Sequence, residues 1–297
     1  MEQAKNSVDY NNNGGNHHPP IYSNDILAPP QWNGPPGGLI PWSTTSAVAT
    51  SKYSIFGTDS QVLQMVLMPG ESVTSEPGSM TYRSDLVLPS TGMDGCGNGC
   101  KRCLGGESMF RNTYTNRGGV PASITFSPSF PAKIVPIDLS RSGTFYASPG
   151  LWLCHLGDVK VSFKFVKNLV AGCCGGAGFL LLKLSGTGTV FLNGGGTVCE
   201  KILAQGEVLL IDSNSLLGFA ESAGYDVQCN SNLFVCCCSG EGLFNAKVTG
   251  PGLAIVQSMS LKRLKAAIAP AAAAAAAGAA GAASQNAASS GGGGSGR

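Results

Sequence analysis

The chain reads as all-β, built from three repeated lobes, and three observations lead to that fold class. Short apolar runs rich in Val, Ile, Leu and Phe recur along the middle of the chain, several of them bounded by glycine, proline or Asn-Gly turns. No segment between residues 51 and 265 keeps a helical period over about 11 residues or more. Two glycine-marked motifs also alternate three times along the same stretch.

Taken in order, the predicted strands are Val62–Leu67, Ser123–Phe126, Val159–Val166, Phe179–Leu184, Val208–Asp212, Leu233–Cys237 and Leu253–Gln257. One repeat motif opens with Gly176-Ala177-Gly178, closes its strand with Gly186-Thr187-Gly188, and is followed by Val190-Phe191-Leu192. The same register recurs 64 residues on, from Gly240-Glu241-Gly242 to Gly250-Pro251-Gly252 and Ala254-Ile255-Val256. A looser copy runs from Gly105-Gly106-Glu107 through Gly118-Gly119 to Ile124-Thr125-Phe126. The other motif runs Gly70-Glu71 to Pro77-Gly78, Ser142-Gly143 to Pro149-Gly150, and Gly206-Glu207 to Ser213-Asn214. Each copy leads into an apolar strand, carrying Met80 and Tyr82, Trp152 and Cys154, or Leu217 and Phe219. Three copies of a two-part unit predict three similar β-lobes in pseudo-threefold packing, with glycine where the chain turns at positive φ or packs closely.

The ends differ from this middle. Residues 1–50 form a Pro, Asn and Gly-rich arm, whose composition favours extended, unpaired backbone. The all-β domain spans 51–265, and 266–297 is an Ala/Gly-rich low-complexity tail, with a short helix continuing from Leu261–Ile268.

The segments "MPGESVTSEPGSMTYRSDLVL" (68–88), "LGGESMF" (104–110), "GAGFLLLKLSGTGTVFL" (176–192) and "GEGLFNAKVTGPGLAIVQSMS" (240–260) resemble the family named for altered inheritance of mitochondria. The resemblance covers residues 52–261. It implies a three-lobed β structure with a fold like the tryptophan RNA-binding attenuation protein, a tie to mitochondrial biogenesis, and no enzymatic activity. No catalytic residue is carried over.

Composition excludes several function classes. Charged residues are 12% of the chain and hydrophobic ones 43%, so a disordered chain is excluded. A net charge of +2 spread over 297 residues lacks the basic face of a nucleic-acid binder, and at 7% aromatic the chain lacks stacking platforms. The N-terminus resembles neither a presequence nor a secretory signal, which leaves cytoplasm or mitochondrion open. Pro270, Gly278 and Gly281 interrupt the alanine tract, so no membrane span is expected. Lys262, Arg263 and Lys265 form a cluster suited to a solvated helix start or a peripheral contact with an anionic membrane surface.

The sharpest chemical signal is Cys96, Cys100 and Cys103, a Cys-x3-Cys-x2-Cys loop with Lys101 and Arg102. Three thiolates would hold zinc or iron if another group completed the site, and nearby cations would make them redox-reactive. The bland alternative is an ordinary cysteine loop. Histidine chemistry is ruled out by number: His17 and His18 lie in the arm, leaving His155 as the domain's one histidine, expected at a strand end. A cupin-type metal site needs several histidines, and a triad would have to use His155 with Asp158. Glu71, Glu107, Glu207 and Glu241 all follow glycine at repeat starts. They are expected to be turn carboxylates bonded to backbone N–H groups, the alternative being a cation or proton site gathered on the pseudo-threefold axis. The glycine-rich stretches lack the Gly-Lys-Ser/Thr ending of a phosphate loop. The sequence therefore predicts a non-enzymatic assembly or scaffold protein that forms a homo-oligomer, a trimer or a multiple, and acts on a protein partner through its β surfaces. A cysteine-ligated metal or redox protein is the alternative.

Overall fold

The computed structural model describes residues 40–41, 52–93, 110–166, 179–229 and 244–269. These form an all-β protein in which every strand pair among the described residues is antiparallel.

Lobe 1 comprises β2 (Tyr53–Phe56), β3 (Val62–Leu67), β4 (Ser72–Ser75), β5 (Met80–Arg83), β6 (Val87–Met93), β7 (Phe110–Asn116) and β8 (Ala122–Phe126). Lobe 2 comprises β9 (Ala132–Asp138), β10 (Phe145–Ala147), β11 (Trp152–Val166) and β12 (Phe179–Gly195). Lobe 3 comprises β13 (Val198–Leu203), β14 (Val208–Asp212), β15 (Leu216–Ala220), β16 (Gly224–Cys229), β17 (Phe244–Thr249) and β18 (Gly252–Gln257). The remaining strand, β1 (Ile40–Pro41), comes from the Pro-rich arm and pairs with Cys199 and Glu200 of β13.

The repeat seen in the sequence is a repeat of pairings. In lobe 1, β8 lies between β3 and β5, and β7 lies between β4 and β6. In lobe 3, β18 lies between β13 and β15, and β17 lies between β14 and β16. Lobe 2 makes the same contacts with two long strands, because one half of β12 takes β9 and the start of β11 while the other takes β10 and the end of β11. A bulge falls at one equivalent place in each lobe: between Met80 and Tyr82, between Trp152 and Cys154, and between Leu216 and Gly218.

That bulge corrects one detail of the sequence reading. The third-lobe counterparts of Met80 and Tyr82 are Leu216 and Gly218, not Leu217 and Phe219. Apolar character misaligned the copy, because a glycine stands where the other lobes carry a side chain. A Cβ at Gly218 would overlap the Phe145 ring and stand 2.6 Å from the Tyr146 carbonyl oxygen.

A second correction concerns Gly186-Thr187-Gly188, expected to close a strand. It lies inside β12, which runs unbroken through residue 195. Gly188 pairs with Gly157 of β11, whose φ is +90°, and a side chain at Gly188 would strike the Leu156 carbonyl. Glycine here lets two long strands kink together without parting. Gly118-Gly119 and Gly250-Pro251, by contrast, do fall between strands. The expected strand Leu233–Cys237 lies outside the described residues.

Burial follows the two-residue period of a strand. In β3, Leu63, Met65 and Leu67 are fully buried while Val66 faces out. Three core clusters result. One joins lobe 1 to Leu153, Cys154, Leu156 and Phe191 of lobe 2. Another joins lobe 2 to Leu217, Leu253 and Ile255 of lobe 3. The third joins lobe 3 to Tyr146 and Leu181 of lobe 2. Among the described residues, none joins lobe 1 to lobe 3.

Among the described residues, helix is confined to short pieces. In α1 (Leu139–Ser142), the Asp138 carboxylate accepts from the Ser140 N–H, and Gly143 ends the turn at φ +68°. Residues 261–269 are helical, as the sequence predicts, and no helix of the described residues is long and apolar enough to cross a membrane. Ser260 starts this helix by accepting the Arg263 N–H on its hydroxyl, while Arg263 reaches Asp212 at the end of β14.

Candidate functional site

Lobes 1 and 2 meet along β4 and β11, where Ser75 pairs with Cys154, Thr74 with His155 and Val73 with Leu156. A cavity of about 410 Å³ opens at this seam, lined by Lys52, Glu71, Ser72, Leu156, Gly157, Thr187, Gly188 and Thr189. The glycine kink of β11 and β12 forms part of its wall, so backbone and hydroxyl groups stand where larger side chains would fill the space.

Its charged groups are held by the frame. Glu71 follows Gly70, which has a φ of +83°, and its carboxylate accepts the Met68 N–H at 2.9 Å and the Lys52 ammonium at 2.8 Å. Lys52 first, and the Met68 N–H second, hold the Glu71 carboxyl below the usual carboxylate range. An acid that stays ionised in this way has no proton to give near neutrality. Lobe 3 repeats the device. There Glu207 accepts the Ala204 N–H at 2.9 Å and pairs with Lys201 at 2.9 Å, the backbone bond being the larger cause of its lowered pKa. The turn-carboxylate expectation therefore describes both of these glutamates, each tied to the lysine of its own lobe rather than gathered on an axis. Glu107 and Glu241 lie outside the described residues.

His155 sits within β11 rather than at its end, because Gly157 lets the strand continue. It is 7% exposed, with its ring 5.5 Å from that of Trp152, over which the Arg111 guanidinium lies at 5.2 Å. Burial first, and the Arg111 charge second, pull its pKa down to about 4. It is thus a neutral packing residue at ordinary pH, and Asp158 points to the exposed side of the strand.

Cys96, Cys100 and Cys103 lie outside the described residues. Among the described residues, no three His, Cys, Asp or Glu side chains come together as a metal site. Burial raises the thiol pKa of Cys154 strongly and that of Cys199 as well, the opposite of activation.

Sequence reasoning missed two features. The Lys52–Glu71 pair joins residues far apart in the chain, and no local pattern announces it. Glu200, on β13 opposite Ile40 and Ile255, has its pKa pushed up by burial to about 7, with Oε2 buried and without a hydrogen-bond partner among the described residues. Its place between the apolar pairs Val198-Cys199 and Ile202-Leu203 of a strand was the available signal.

Comparison with known proteins agrees with this architecture. The chain is 25% identical, over 216 residues, to an uncharacterized protein of Streptococcus pyogenes serotype M6, a match covering 70% of this chain and 85% of that protein. A crystal structure of another Streptococcus pyogenes protein, SPYM3_0169, shares the fold with a TM-score of 0.59 at 22% identity, covering 74% of this chain and 98% of the other. The model of the mitochondrial biogenesis AIM24 family matches residues 53–259. With that match spanning most of its length, the chain belongs to the mitochondrial biogenesis AIM24 family.

Proposed function

We propose that the protein is a non-enzymatic assembly or scaffold protein, serving the biogenesis role for which its family is named through β surfaces presented in a homo-oligomer. One observation carries this reading: its lobes join edge to edge by one strand pairing used twice. Ser75 pairs with Cys154 across the first seam, and Ala147 pairs with Gly218 across the second, each at the same repeat position. A fold assembled by repeating one edge contact is suited to extending that contact beyond a single chain. Side chains beside the first seam and the β14 edge support the same view, since Glu71, Glu207 and Asp212 are paired with Lys52, Lys201 and Arg263.

The test is light scattering over a range of concentrations, followed by affinity capture with and without residues 1–50. A defined oligomer is expected. A single-chain mass at every concentration removes the oligomer from the reading, and a partner retained without the arm assigns binding to the β surfaces.

A further inference from the structure

We infer that the free edges of β14 and β5 are two halves of a third seam, completed by a second copy of this chain. The inference rests on the assembly reading above and gives that assembly its contact.

The argument starts from register. Across the first seam Val73 pairs with Leu156, Thr74 with His155 and Ser75 with Cys154. Across the second, Phe145 pairs with Ala220, Tyr146 with Phe219 and Ala147 with Gly218. These are equivalent repeat positions, and a flanking backbone bond repeats too: Glu76 N–H donates to the Leu153 carbonyl, and Ser148 N–H to that of Leu217, both at 2.9 Å. One lobe's short strand therefore always docks on the bulged strand of the next. For lobe 3 that short strand is β14, and the bulged strand left over is β5 of lobe 1. Carrying the register forward pairs Leu209 with Ser84, Leu210 with Arg83 and Ile211 with Tyr82.

Within one chain this pairing is not made. Among the described residues, β14 pairs only with β17 and β5 pairs only with β8, so each ends its sheet. Side chains at the edges show the difference. Leu210 is 53% exposed where its counterpart Tyr146 is 5%, and Tyr82 is 47% exposed where its counterpart Cys154 is fully buried. Val208 is also exposed, and β14 carries no charge or proline before Asp212. Natural sheets blunt free edges with such residues, so an apolar edge without them is one that is covered in use.

The occupant must offer a bulged strand in this register, and the chain itself carries one. Each copy has one β14 edge and one β5 edge, so the contact is head-to-tail, and a ring of copies uses every edge.

The experiment uses the full chain. Leu210→Lys places a charge on the exposed edge while removing no buried contact, and Val120→Lys, at another exposed apolar position, is the control. Self-association is read by native mass spectrometry and light scattering, with hydrogen exchange at residues 80–84 and 208–212. The wild type and the control are expected to form the same oligomer, with both edges protected. Leu210→Lys should weaken self-association by about tenfold or more and expose both edges together. An oligomer that survives the substitution with both edges exchanging freely overturns this seam and leaves the assembly reading standing. A wild type of single-chain mass with exposed edges overturns both. Edges protected in a single-chain species at every dilution would place a segment of the same chain there, and overturn the second copy as occupant.

Discussion

The closed seam between lobes 2 and 3 and the open edges of β14 and β5 are built from equivalent strands, yet their side chains live in different surroundings. At the closed seam, Phe219 lies against Tyr146 and Tyr225 with ring centroids 5.4 Å and 4.9 Å away, and Tyr146 donates its hydroxyl hydrogen bond to Glu221 at 3.1 Å. At the open edge the position equivalent to Phe219 is Arg83, whose guanidinium turns back to the Val87 carbonyl at 2.5 Å. At the first seam the same position holds His155, buried and neutral. One backbone site thus hosts a ring where the neighbouring lobe covers it and a cation where, among the described residues, no lobe pairs with it. Pairing register belongs to the repeat; side-chain chemistry belongs to whether the seam is closed.

The largest expected effect probes this contrast directly. Phe219→Ala should cost about 3–5 kcal/mol of folding stability by leaving a cavity between lobes. Leu210→Ala on the open edge should stay within about 0.5 kcal/mol for the single chain. Urea denaturation of dilute protein measures both, and a large loss at Leu210 would show that its edge is already covered.

The next effect depends on pH. His155 has a folded pKa of about 4, below its unfolded value of 6.5. The unfolded chain therefore binds the proton first, and the stabilisation, complete above 6.5, is lost as pH falls towards 4. It amounts to about 3 kcal/mol. Glu200 works in the other direction, since its folded pKa of about 7 exceeds the ordinary 4.5. Its contribution is present at low pH and is lost as pH rises from 4.5 to 7. The two slopes oppose each other over 4.5–6.5. Over that window the stability of Glu200→Gln should rise with pH and that of His155→Gln should fall with pH, each more steeply than the wild type; unchanged profiles would mean that neither group is buried as described.

The smallest effect concerns the turn carboxylates. Glu71→Gln should cost about 1 kcal/mol or less, because the Lys52 side chain is 57% exposed and water and salt screen the pair. Stability of the wild type should fall slightly with added salt, and this salt dependence should weaken in the variant. A loss of several kcal/mol would instead make the Lys52–Glu71 pair a principal tie between β2 and β4.

Much of the fold was legible because its signals are local. Val62–Leu67 and Val208–Asp212 are strands with the bounds that their apolar runs predict. Gly70, Gly78, Gly150 and Gly206 have positive φ at the motif boundaries. The candidate site was not legible in the same way. Lys52 meets Glu71 only after β2 folds onto β3, and the cavity wall depends on Gly157 lying opposite Gly188 in a hairpin expected to be broken. His155 was expected at a strand end, whereas β11 continues past it through Gly157 at positive φ.

By itself, then, the amino-acid sequence determined the strand class, the three copies and the positions where glycine is required, since backbone propensity and side-chain alternation act over a few neighbouring residues. Tertiary structure decided which seams close, and with them the burial of His155, the neutrality of its ring and the exposure of Leu210 and Tyr82. Those properties depend on what a distant lobe places alongside, and two equivalent strands with the same local pattern can meet different neighbours.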